Sequence, residues 1–303
     1  MLASIRLGSC LGIVLFFSGA LVCGQSPPEK LTEKSADKSS PEKLAASGVG
    51  AALPPYPLDT VVLPDGDAVV VDRNLPGLWR LHAAETSLWL QGSRRFREPL
   101  NAPRCLALDK SGQLLVGDSS TREIYRIDQS LKPQPLTGGK IGIPMDIAVR
   151  ADGTLVVADL ETRSLLRVSA DGQKVESIAV VNPRGVFVDQ QDRVWVVSQD
   201  AQQLQIVGDD GKTQAIVDKR TFDFPHQVVV NSAGEAFVSD GYKKAIWKVV
   251  NGQAPQVLVS GAPLDNPVGL TLHNDQLVIT DPRARQVFRL RDGKVEPWFK
   301  IGQ

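Results

Sequence analysis

The sequence predicts an all-β fold, a six-bladed β-propeller with four antiparallel strands per blade, on three observations. Apolar runs with a two-residue period are punctuated by turns such as Asp152-Gly153 and Asp171-Gly172, where glycine supplies the positive φ that hairpins need. The same paragraph is written six times, opened by Pro57, Pro103, Pro144, Pro183, Pro225 and Pro267, as in PRCLALDKSGQLLVGD and PMDIAVRADGTLVVAD. The copies recur about every 40 residues and hold only strand signals, which indicates propeller blades rather than a helical solenoid.

Each copy supplies its strands in a fixed order. The first follows the proline and faces the channel; the second is an apolar run ending at an aspartate. The third reads apolar–aromatic–basic–apolar, as in Leu78-Trp79-Arg80-Leu81, Ile124-Tyr125-Arg126-Ile127, Ile246-Trp247-Lys248-Val249 and Val287-Phe288-Arg289-Leu290. The fourth is an outer run such as Ser87 to Leu90, Val175 to Val180, Gln256 to Val259 or Val295 to Lys300. Closing six such units into a ring leaves no long unpaired sheet edge.

Ahead of the ring, residues 1–24 read as a secretory signal peptide. Arg6 supplies the charge, Leu7 to Phe17 the apolar region, and Val22-Cys23-Gly24 the cleavage site. The apolar stretch is short for a membrane span, so a secreted or periplasmic protein with no integral membrane segment is expected. A lipoprotein acylated at Cys23 is disfavoured, because Ala20-Leu21-Val22 has no small residue directly before the cysteine. Residues 25–52 repeat PEKL among Lys, Glu, Ser and Asp and are expected to be a disordered, charge-balanced linker, with too little to bury to offset ordering. The propeller occupies 53–303. After cleavage Cys105 is the sole cysteine, so the core must hold the domain without a disulfide.

Lys+Arg and Asp+Glu number 34 each, a balance that argues against a nucleic-acid surface; a monomer is expected. Several polar residues recur with the repeat and read as scaffold. Asp72, Asp118, Asp159, Asp240 and Asp281 close the second strands, and Arg122, Arg163, Lys244 and Arg285 follow four of them. These sets are expected to pair across a tight turn, since the fourth copy loses both, with Ser198 and Gln202. Arg80, Arg126, Arg167, Lys248 and Arg289 are expected to lay their stems over apolar neighbours. Trp79, Tyr125, Trp247 and Phe288 should fill the spaces between blades.

With these residues in view, the pattern resembles the NHL-repeat propellers. Asp109 to Gly112 and Val157-Ala158-Asp159 to Arg163 carry the likeness, which spans nearly all of Pro57 to Lys300. The wider group holds gluconolactonase and senescence-marker propellers, streptogramin lyases and peptidyl-glycine lyase domains. The resemblance therefore implies a fold and leaves function open, from protein-binding modules to metal-dependent enzymes. Gluconolactonase-like relatives hold a divalent metal through a Glu and Asn/Asp residues just after such prolines. Here those places hold Leu58, Arg104, Met145, Arg184, His226 and Val268. The metal set is missing, and so are the histidines of the lyases; His82 and His273 stand too far from His226 to join it.

Function is sought in residues the scaffold does not repeat. The two positions after the prolines bring Arg104, Arg184, His226, Asp59, Asp146 and Gln227 to one channel mouth, with Gln199, Asp200 and Tyr242 at its rim. Arg104 and Arg184 could clasp a carboxylate or phosphate with His226 as third donor, or pair with Asp59 and Asp146 as a charged plug. The leading reading is an exported binding or scaffold module without a cofactor. It would recognise a small anionic ligand or a protein or peptide segment at the mouth. The alternative is a metal-dependent lactone hydrolase or lyase, with His226 as base and Asp59 or Asp146 helping to hold a divalent cation such as calcium.

Overall fold

Six four-stranded antiparallel sheets follow one another along the chain, in a computed structural model that describes residues 53–301. The expected signal peptide and linker lie outside these residues. Five inner strands begin at the blade-opening prolines, Pro57–Val62, Pro103–Leu108, Pro144–Val149, Pro183–Val188 and Pro225–Val230, and the sixth is Gly269–His273. A proline suits this place because the first residue of an inner, edge strand need not donate to a ladder. The second strands, such as Ala68–Asp72 and Leu155–Asp159, are buried throughout, as expected of strands covered on both sides by neighbouring blades. The outer strands are half exposed and vary most; that of the second blade shrinks to Pro133–Pro135.

Each blade is a contiguous stretch of chain, so side chains alone close the ring. Between the sixth and first blades, the hydroxyls of Thr60 and Thr280 lie 2.7 Å apart, and the Thr271 hydroxyl donates to the Thr60 carbonyl. Val70, Leu81, Val278, Val287, Phe299 and Ile301 form the apolar seam behind them. The aromatic positions behave as expected: Tyr125, Trp247 and Phe288 are buried in clusters that span adjacent blades, and Trp79 packs on the seam. The recurrent third-strand bases are scaffold too, and they are paired. Arg80 meets Asp67 at 2.6 Å, Arg126 meets Asp109 at 3.0 Å, and Arg289 lies 3.4 Å over the Trp298 ring.

One expectation is corrected. The second-strand aspartates are staples, but their partners are backbone N–H groups rather than the following bases. Asp118 accepts from Asn101, Ala102, Ser120 and Thr121, and Asp281 from Asp265, Asn266, Arg283 and Ala284. Each carboxylate thus ties its own turn to the segment entering the blade, a role buried donors demand. Arg122, Arg163, Lys244 and Arg285 all stand at a left-handed place in the turn, with φ of 57°, 56°, 50° and 54°, a backbone conformation that by itself does not call for a base. Arg122 pairs instead with Glu161 of the next blade and Lys244 with Asp265. In the fourth blade, where Ser198 stands in the aspartate's place, its hydroxyl accepts from Asp200 and donates to the Gln202 carbonyl, and the buried Gln203 holds the segment entering the fifth blade, accepting from Thr221 and Phe222 and donating to the Phe222 carbonyl.

Candidate functional site

Inner strands leave one edge facing the channel, and their N–H groups there need partners. The second residue after each proline supplies them in alternate blades. Asp59 accepts from Leu106 of the second blade at 2.8 Å, Asp146 from Val186 of the fourth at 2.9 Å, and Gln227 from Leu270 of the sixth at 2.6 Å. The intervening blades carry Cys105, Gly185 and Gly269 at this position. A Cβ would lie 2.5 Å from the His226 carbonyl oxygen at Gly185, and 2.7 Å from that of Leu58 at Gly269. Polar and small residues thus alternate round the ring, each polar side chain crossing to a strand whose own residue leaves room.

This girdle is buried and carries unbalanced acid. Asp59 and Asp146 are 3% and 6% exposed, and no cation pairs with either among the described residues. Burial pushes the Asp59 carboxyl up to about 7. Burial, and then the Asp59 charge, push Asp146 well above the carboxylate range. The Gln227 amide donates to Asp146 at 3.3 Å and so separates the pair with a neutral group. The free thiol of Cys105, which burial pushes up, completes the layer.

One residue earlier, the side chains turn outward into a pocket of about 130 Å³ at the proline end of the channel. Arg104, Arg184 and His226 line it, with Leu58, Met145 and Val268 as its apolar part. The structure adds Arg73, Tyr56 and Asn266 to the same lining. None of the three guanidiniums has a carboxylate partner among the described residues; mouth-side ion pairs such as Arg122–Glu161 and Lys243–Asp223 go elsewhere. Arg184 donates to Gln199 at 3.1 Å and lies 5.2 Å over the Phe224 ring. Burial, followed by the neighbouring Arg73, holds the Arg104 guanidinium below its usual range. Burial and the adjacent Arg184 lower His226 to about 4, leaving a neutral imidazole at neutral pH. Phe224 meets His226 edge-on and stacks on the exposed Tyr242 at 4.7 Å.

The six expected site residues therefore fall into two layers. Arg104, Arg184 and His226 belong to the mouth, Asp59 and Asp146 to the girdle, and Gln227 touches both. The charged-plug pairing is not formed, because the four carboxylate oxygens already accept the N–H groups of Thr60, Leu106, Ile147 and Val186. For the same reason a dication does not fit: hard oxygen donors are committed, and three guanidiniums stand at the entrance. No group of three His, Cys, Asp or Glu gathers as metal ligands among the described residues. Asp200 bonds Asn182 at 3.2 Å, while His82 and His273 bond Asp67 and Asn274.

No family model matches the chain, and no similar curated protein is found. Solved structures share the fold. A propeller chain in the nidogen/laminin complex is 16% identical with a TM-score of 0.65, over 76% of this chain and 92% of that one. A gluconolactonase from Xanthomonas campestris is 15% identical with a TM-score of 0.63, over 76% and 84%. An inactive variant of virginiamycin B lyase from Staphylococcus aureus, bound to quinupristin, is 13% identical with a TM-score of 0.61, over 75% and 77%. All three likenesses are of architecture; one of these neighbours sits in a protein complex and two are named as enzymes.

Proposed function

We propose that this chain is an exported six-bladed propeller that binds a small anionic ligand at the proline-side mouth. The observation that carries the reading is the convergence of Arg73, Arg104 and Arg184 in one pocket with no carboxylate among the described residues to neutralise them. Gathering like charges in a half-buried space is unfavourable, and a bound anion removes that cost. The small pocket volume favours a compact anionic group over a protein segment, even though the nidogen/laminin neighbour is a protein-binding propeller. The gluconolactonase-like alternative needs a cation that the donor set does not suit.

The test is the double variant Arg104→Ala with Arg184→Ala, titrated calorimetrically with sulfate. Binding should fall by about 100-fold or more, at roughly 1.5–3 kcal/mol per charged hydrogen-bonding partner. The melting temperature should hold or rise as repulsion is relieved. Sulfate binding unaffected by the double substitution would remove the reading.

A further inference from the structure

We infer that the group taken by this mouth is a tetrahedral oxyanion, a phosphate or sulfate, carried as an ester on an organic body. The inference rests on the anion-site reading above and deepens it. Its first support is where the donors come from. Arg73 stands in the first blade, Arg104 in the second, Arg184 in the fourth, His226 in the fifth, and Asn266 just before the sixth inner strand. They approach the axis from all round the ring. A carboxylate offers its lone pairs in one plane, which a single guanidinium fork matches. A tetrahedral oxyanion offers oxygens in every direction and can be met from every side.

Asn266 is the second support. It is 7% exposed and lines the pocket, and its side chain makes no hydrogen bond among the described residues; only its backbone N–H is engaged, by Asp281. Its Oδ1 lies against Gly241, where a Cβ would come within 2.4 Å. That leaves the amide N–H₂ to donate into the pocket. An amide that borders the pocket and has no protein acceptor among the described residues is free to donate to an oxyanion oxygen. Charge favours the phosphate of the two, since three guanidiniums are better offset by a phosphate ester's near-double charge than by the single charge of a sulfate ester or a monocarboxylate.

Size supplies the ester. The pocket of about 130 Å³ is well below the roughly 300–1,000 Å³ of clefts that take whole drug-sized ligands, so it suits an oxyanion head better than a complete organic molecule. The remainder of the ligand must leave past Leu58, Met145 and Val268, an apolar border that suits an organic substituent and gives nothing to a free ion.

The experiment is calorimetric titration at fixed ionic strength with phenyl phosphate, phenyl sulfate, inorganic phosphate, inorganic sulfate, benzoate and malonate. One of the phenyl esters should bind roughly tenfold or more tightly than benzoate or malonate, and tighter than its inorganic counterpart. Which ester wins distinguishes phosphate from sulfate. Asn266→Leu should erase most of that preference and leave carboxylate binding in place. Should that variant fail to fold, Asn266→Asp keeps the shape and sets a carboxylate against the oxyanion, so binding should be lost. Malonate or benzoate binding as tightly as the esters overturns the tetrahedral assignment while the anion site stands. Inorganic ions binding as tightly as the esters overturn the organic body. If no anion binds, the anion-site reading itself falls.

Discussion

The residue directly after each blade-opening proline and the residue one further on share the same strands, yet they meet opposite fates. In the inner layer, Asp59, Asp146 and Gln227 spend their acceptors on the N–H groups of neighbouring blades, and the ring closes around them. In the outer layer, Arg104, Arg184 and His226 gather charge and donors with almost nothing to receive them. Polarity alone does not mark a working site. The inner layer is as polar as the outer, but its hydrogen bonds balance within the fold. On the reading proposed above, the outer layer balances when an anion is added.

Three perturbations would break or sharpen this contrast, beside those already described. The largest effect is expected from Gln227→Glu. It replaces the neutral bridge beside Asp146 with a third buried acid and removes the donor that the pair uses. Stability should fall by about 3 kcal/mol at pH 8 and recover in part at pH 5, as read from urea midpoints. A variant as stable as the parent at pH 8 would show that the girdle is not dry and closed.

Next comes the pH dependence of the unaltered protein. Folding raises the Asp59 carboxyl to about 7, against roughly 3.9 in an unfolded chain, so the folded state binds the proton more tightly. This contribution is complete below about pH 4 and is lost as pH climbs through about 7, with a slope of at most ~1.4 kcal/mol per pH unit per group. Asp146 acts in the same direction. Aspartates held low by neighbours, such as Asp109 and Asp189, titrate below this window. Urea midpoints should therefore decline between pH 5 and 8, and Asp59→Asn should flatten the decline. A flat profile in the parent would mean that water screens the carboxyls.

The smallest effect on stability belongs to Gly241→Ala. The added methyl would press on Asn266 Oδ1 and, at 3.0 Å, on His226 Nε2. It should cost about 1 kcal/mol or less of stability and weaken sulfate binding several-fold by shifting two lining residues. Unchanged sulfate binding would show that neither residue holds the anion.

The ring was fully legible in the sequence, because six prolines and a repeated paragraph leave few other ways to bury so many two-faced strands. Arg104, Arg184 and His226 were legible as residues that the repeat does not explain. Their separation from Asp59 and Asp146 was not, since adjacent positions on one strand look equally close to a mouth until the burial of each face is known. The alternation of Asp59, Cys105, Asp146, Gly185, Gln227 and Gly269 was in plain view, but its sense lies in bonds between blades, which no single repeat displays. Arg73 and Asn266 sit just outside the aligned strands. Arg73 had one signal, since the first copy departs from the turn pattern there, with Pro76 where a base would stand. The Asp–Arg turn pairing was misread for a related reason: two features lost together need not touch, and here the aspartates tie backbone N–H groups while Arg122 and Lys244 reach other carboxylates.

The seam between the first and last blades has one further consequence. Among the described residues no strand is borrowed across it, so the six blades form a linear row bent until its first and last members touch, held shut there by three threonine hydroxyls and a patch of hydrocarbon. Every other blade boundary has a covalent crossing and this one has none. Mechanical or thermal strain that the circle distributes evenly must find its easiest release there, and both layers of the channel depend on that joint for their shape.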